Sequence, residues 1–145
     1  MWPRTYENLI TFSRCKKDAR RLVSEENHCK HIANNIDSDC VYHIHIDGEV
    51  IPKSCTTTRR VDYLLINETK KDAYLIELKT QHIMDAFKQI EVSNDNLQGL
   101  LSGYDMKWRV VHKSRTFGMH THEVTKFRRQ HDNLIIRKTP MEESI

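Results

Sequence analysis

No stretch of this 145-residue chain comes near the ~20 consecutive apolar residues that a membrane-spanning helix requires. The opening residues, MWPRTYENLI, lack the basic start and apolar stretch of a secretory signal. Together these absences lead us to expect a cytoplasmic protein with no membrane partner. No CxxC pair occurs among the four cysteines, Cys15, Cys29, Cys40 and Cys55. Their even number would suit disulfides, but without a secretion signal the expectation is reduced thiols. HCKH (residues 28–31) with Cys40, or His43 with His45, can be drawn as a zinc site, but the spacing matches none of the usual zinc patterns. Internal repeats and low-complexity linkers are absent too. So is a strong excess of one charge: 23 Lys and Arg against 20 Asp and Glu leave +3. That balance permits a polyanionic partner without requiring one.

What is present suits one globular domain spanning residues 1–145, with 38% apolar and 30% charged residues. Leu22, Cys29, Ile32, Ala33 and Ile36 recur at helical spacing and predict a helix over 14–36. VYHIHIDGEVI (41–51) alternates on both sides of Asp47-Gly48 and predicts a hairpin with a type I′ turn. VDYLLIN (61–67) and AYLIELK (73–79) are rich in strand formers and apolar on both faces, which predicts central strands covered by helices on each side. A helical pattern follows from Ile83 to Tyr104, with Gly103 as its stop. KWRVVHKSR (107–115) reads as a strand, THEVTKFRRQH (121–131) as a short helix, NLIIRK (133–138) as a last strand, and TPMEESI (139–145) as a frayed end. This order predicts an α/β fold, an α/β/α sandwich on a central mixed sheet.

The two central runs carry charge where a core is being built. Glu77 and Lys79 alternate onto one face of their strand, and Asp62 lies near the outer end of the other, opposite Lys79 or Leu78 if the two pair around NETKKD. Two adjacent buried carboxylates are costly unless something positive lies between them, and a divalent cation is the obvious candidate. Blander readings stand beside this one. Asp62 can end a strand and pair with Arg59 or Arg60. Glu77 and Lys79 can form an exposed cross-strand ladder, although their apolar flanks argue against exposure. His82 reads as a solvated loop residue, and Tyr104 and Trp108 as packing residues.

An Asp followed on the next strand by Glu-x-Lys, here Asp62 in RRVDYLLI and Glu77-Leu78-Lys79 in AYLIELKT, resembles the PD-(D/E)xK nuclease superfamily, with Val61 standing where many members have proline. The element order also resembles that restriction-endonuclease-like core, from about residue 20 to 138. The resemblance implies catalytic roles for Asp62, Glu77 and Lys79. It adds Gln89, on the helix after the Glu-x-Lys strand, and a glutamate from the first helix. Glu25 and Glu26 are the candidates for that glutamate, and helical geometry sets Glu25 nearer the apolar stripe. Asp62, Glu77 and one of Glu25 and Glu26 would hold Mg2+ or Mn2+. The implied activity is metal-dependent hydrolysis of phosphodiester bonds in nucleic acid, DNA ahead of RNA. The basic clusters (Arg14 to Arg21, Arg59 with Arg60, and Lys126 to Arg129) would grip the backbone. Many members form homodimers to cut two strands, but no interface signature is visible here. The alternative is a catalytically inactive module of the same fold that binds nucleic acid or a protein partner.

Overall fold

A computed structural model describes residues 1–79, 82–113 and 121–145. Five strands form a mixed sheet in chain order: β3 (Val41–His45), β4 (Tyr63–Asn67), β5 (Asp72–Lys79), β6 (Asp105–His112) and β7 (Leu134–Lys138). β3, β4 and β5 are an antiparallel meander, whereas β5–β6 and β6–β7 are parallel pairs. Parallel neighbours need a crossover. α2 (Ile83–Leu97) lies between β5 and β6 in the chain, and α3 (His122–Gln130) between β6 and β7. A second sheet joins the hairpin β1 (Arg21–Glu26) and β2 (Cys29–Asn34) to β8 (Met141–Ser144), which runs parallel to β2. The short α1 (Tyr6–Ile10) starts at Thr5, whose side chain accepts from Asn8 N.

β4 and β5 are apolar on both faces because both faces are covered. Leu64, Ile66, Ala73 and Leu75 belong to one core with Phe87 and Ile90 of α2 and Phe127 of α3. Tyr63, Leu65, Tyr74, Ile76 and Leu78 belong to the other, with Leu22, Cys29, Ala33 and Met141 of the smaller sheet. The fold is thus α/β with mixed sheets and few helices. Helices cover one face of the central sheet, and a second sheet covers the other.

That second sheet corrects the expectation of a helix over 14–36. The residues buried from β1 and β2 include Leu22, Ser24, Cys29, His31 and Ala33, a period of two along each strand. Polar members hide the alternation. Ser24 is satisfied by His43 Nε2 at 2.9 Å, and His31 Nε2 lies 2.7 Å from Glu143 Oε2. The apolar residues of two strands then imitate one helical stripe. Asn27 and His28 close the hairpin with φ of 53° and 61°, the left-handed pair a two-residue turn needs.

Three boundaries also differ. Asp47 has φ −77° and only Gly48 is positive, at 120°, so Ile46–Val50 is a wide turn and β3 pairs with β4. α2 ends at Leu97, short of Gly103. TPMEESI contributes β8 and the buried Ile145 rather than a frayed end. The distal end of KWRVVHKSR, residues 114–115, lies outside the described residues. All four cysteines are free thiols. Among the described residues no helix is long and apolar enough to cross a membrane.

β8 is fastened through Glu143. Its carboxylate accepts from Arg109 Nε and Nη2 at 2.9 and 3.2 Å, and Arg109 is buried. Burial raises the Glu143 carboxyl, but bonds from His31 and Arg109 outweigh it and lower the pKa to about 2. Glu143 therefore adds stability that is full above its ordinary value of 4.5 and is lost as pH falls towards 2. Glu143→Ala, which strands part of a buried guanidinium, is expected to cost about 3 kcal/mol in urea unfolding at pH 7. A cost below about 0.5 kcal/mol would make the contact an ordinary surface pair.

Candidate metal centre

A cavity of about 530 Å³ opens where β4 begins and β5 ends, and Asp47, Asp62, Glu77, Lys79 and Gln89 line it. Register explains the convergence. Tyr63 pairs with Ile76, so one further step sets Asp62 across from Glu77, not across from Leu78 or Lys79 as expected from the sequence. Directly opposed residues share a face, here the face of Leu64 and Leu75 under α2. Lys79, two residues beyond Glu77, falls on that face as well.

α2 fixes the approach to Asp62. Ser93 Oγ accepts from Val61 N at 2.8 Å, and Gln89 Oε1 accepts from Arg60 N at 3.0 Å. Gln89 therefore lines the cavity while anchoring the backbone that leads to Asp62. Asp62 Oδ2 in turn accepts from Leu78 N at 2.7 Å.

Strand alternation separates the two glutamates that the sequence could not. Glu25 faces outwards, exposed, and pairs with Lys30 at 3.2 Å, so the preference for Glu25 is reversed. Glu26 turns towards the site from the end of β1, a strand rather than the expected helix. Glu26, Asp47 and Asp62 each offer a carboxylate oxygen within 4.8 Å of the others. Asp47 is the residue sequence reasoning missed. Beside Gly48 it looks like turn chemistry, and no spacing links it to Asp62. His45, stacked on Tyr63 at 4.4 Å between ring centroids, sets Nε2 3.4 Å from Glu26 Oε2. His82 is exposed at the start of α2, and Trp108 packs against Phe127 with its indole donating to Asn94.

Electrostatics divide the carboxylates in two. Asp62 is 6% exposed, and burial raises its pKa to about 8 even though Leu78 N–H favours the charged form; the neighbouring Glu26 charge adds to the rise. Glu77, 3% exposed, is pushed well above the usual carboxylate range, first by burial and then by the charge of Asp62, with Lys79 opposing. Asp47 is lowered: burial acts upwards, but hydrogen bonds from Lys53 and Arg60 prevail. Glu77 Oε1 is buried and finds no hydrogen-bond partner among the described residues. Hard carboxylate oxygens suit Mg2+ or Mn2+, and the unpartnered oxygen fits such an ion. No family model, curated protein or solved structure matches the chain.

Folding keeps Asp62 protonated up to about pH 8 against an ordinary 3.8, so its contribution to stability is full below pH 3.8 and is lost as pH rises to about 8. Asp62→Asn keeps an acceptor for Leu78 N and removes the ionisation. In EDTA, its Tm is expected to exceed wild type by several degrees at pH 8, about 2–4 °C per kcal/mol gained, and to converge with it near pH 4. Thermal melts across that range check this; a lower Tm for Asp62→Asn at pH 8 would rule out a strained ionised Asp62.

Proposed function

We propose that the chain is a divalent-metal-dependent nuclease hydrolysing phosphodiester bonds, of DNA ahead of RNA. The observation that carries this reading is the convergence of Asp62, Glu77 and Lys79 in one cavity, with Glu77 Oε1 buried and unpartnered among the described residues. The likeness to the PD-(D/E)xK core is supported by the β3–β4–β5 meander, the crossover through α2 and the parallel β6, which follow the superfamily's order. Its first helix is replaced here by the β1–β2 hairpin, and the glutamate comes from the end of β1.

Asp62 with Glu26 and Asp47, whose carboxylate oxygens cluster, and Glu77 with its buried Oε1 would hold the ion. The ion supplies, when bound, a lowered water pKa and charge neutralisation at the phosphate. Lys79 positions water and offsets charge. Lys79 stands on the carboxylate face of β5 and lines the cavity, where its ammonium would orient a water and meet charge that grows on phosphate oxygens. Gln89 and Ser93 keep the segment before Asp62 in place. Arg59, Thr56 and Thr57 line the exposed wall of the cavity, where an incoming backbone would pass.

A second reading, an inactive nuclease-fold module, draws on Lys53 and Arg60, which between them already neutralise Asp47. Incubating the protein with several DNA and RNA forms in Mg2+, Mn2+ or EDTA separates the two. Metal-dependent cleavage is expected. Lys79→Ala should lose about 10²–10⁴-fold in rate with folding intact, and Lys79→Arg should not restore it. Full activity in Lys79→Ala would overturn the mechanism, and binding without cleavage would favour the module.

A further inference from the structure

The acidic cluster already holds a cation of the chain's own. Lys53 Nζ lies 2.7 Å from Glu26 Oε1 and 2.8 Å from Asp47 Oδ2, bridging two of the three clustered carboxylates. Asp47 is held from both sides, because Arg60 takes its Oδ1 through Nε at 3.1 Å and Nη2 at 3.0 Å. Both oxygens of Asp47 are thus engaged before any ion arrives.

For Asp47 to ligate an ion, one of its two partners must let go. Arg60 is the fixed one. Its side chain is 10% exposed and also donates to the carbonyls of Cys55, Thr58 and Pro52. Lys53 is 60% exposed, and among the described residues its ammonium is held by those two carboxylates. A flexible ammonium with exposed ion pairs, each contributing about 1 kcal/mol or less, is the weaker competitor. It also sits on residues 52–60, a segment from which Lys53 and residues 56–60 line the cavity.

We infer that Lys53 is a resident counter-cation which a divalent metal ion must displace from Glu26 and Asp47, so that metal loading and the position of the 52–60 wall are coupled. This rests on the metal-site reading above and deepens it. In the metal-free protein the ammonium offsets repulsion among the carboxylates. When a dication arrives, a +2 charge beside an ammonium is repulsive and the two share the same oxygens, so Lys53 swings to solvent.

Titration of EDTA-stripped protein with Mn2+, followed calorimetrically and by the electron paramagnetic resonance of free Mn2+, tests the exchange in wild type, Lys53→Gln and Lys53→Arg. Lys53→Gln, which removes the competitor, is expected to bind Mn2+ about 3–10-fold more tightly than wild type. Lys53→Arg, which keeps a cation on the pair, should gain nothing. In wild type, amide hydrogen exchange over residues 52–60 should quicken on Mn2+ addition. Equal or weaker binding by Lys53→Gln, with wild type binding normally, overturns the exchange and leaves the metal site standing. No Mn2+ binding by any of the three overturns both. A thermal melt of each variant confirms that the proteins compared are folded.

Discussion

Two carboxylates, Asp62 and Glu77, face each other across the central hairpin beneath α2, and the rest of the site is arranged around the cost of having them there. Side by side and nearly sealed from water, neither ionises at its ordinary pH. A structure seeking only stability would fill those positions with leucine, as it does at Leu64 and Leu75 on the same face. The chain instead adds two further carboxylates, Asp47 lining the same cavity and Glu26 close to Asp47 and Asp62. Lys53 and Arg60 offset these two, and Lys79 opposes the rise of Glu77. Accumulating unfavourable charge at one end of a well-packed sheet costs stability, the pattern the proposed metal site would account for.

The scaffold supports that concentration of charge by keeping everything around it rigid. α2 both covers the apolar half of the hairpin and, through Ser93 and Gln89, satisfies the backbone leading into Asp62. The smaller sheet acts from the opposite face. It lays an apolar layer of Leu22, Cys29 and Ala33 against Tyr63, Ile76 and Leu78, and its first strand ends where Glu26 is needed. Glu143 on β8 ties that sheet to β6 through Arg109. A single set of interactions therefore closes the second core and fixes the reach of one of the site's acidic residues.

Charge mobility distinguishes the members of the cluster. Arg60 is embedded among carbonyls and behaves as part of the frame. Lys53 is exposed and bound through its ammonium. Asp62 and Glu77 carry no such mobile partner among the described residues, which is why burial, not pairing, sets their protonation. The cavity thus has a buried floor of raised carboxyls and a rim where one ion-pair partner, Lys53, is exposed and the other, Arg60, is enclosed.

Along the chain, β4, β5, α2, β6, α3 and β7 were legible because each has a local pattern: runs of apolar, strand-forming residues, or apolar residues at helical spacing. Asp62, Glu77 and Lys79 were legible for the same reason, since charges stand out inside apolar strands. Local pattern could not report what a residue meets across space. Ser24 and His31 look polar and exposed in sequence, yet both are buried against partners on β3 and β8, His43 and Glu143, and that tertiary pairing turned an apparent helix into a hairpin. Glu25 and Glu26 are equivalent by composition; only strand alternation sends one to Lys30 and the other to the cluster. Asp47 is 15 positions from Asp62 and carries no spacing signal. It joins the site because Ile46–Val50 turns widely at the end of β3, a geometry set by the pairing of β3 with β4.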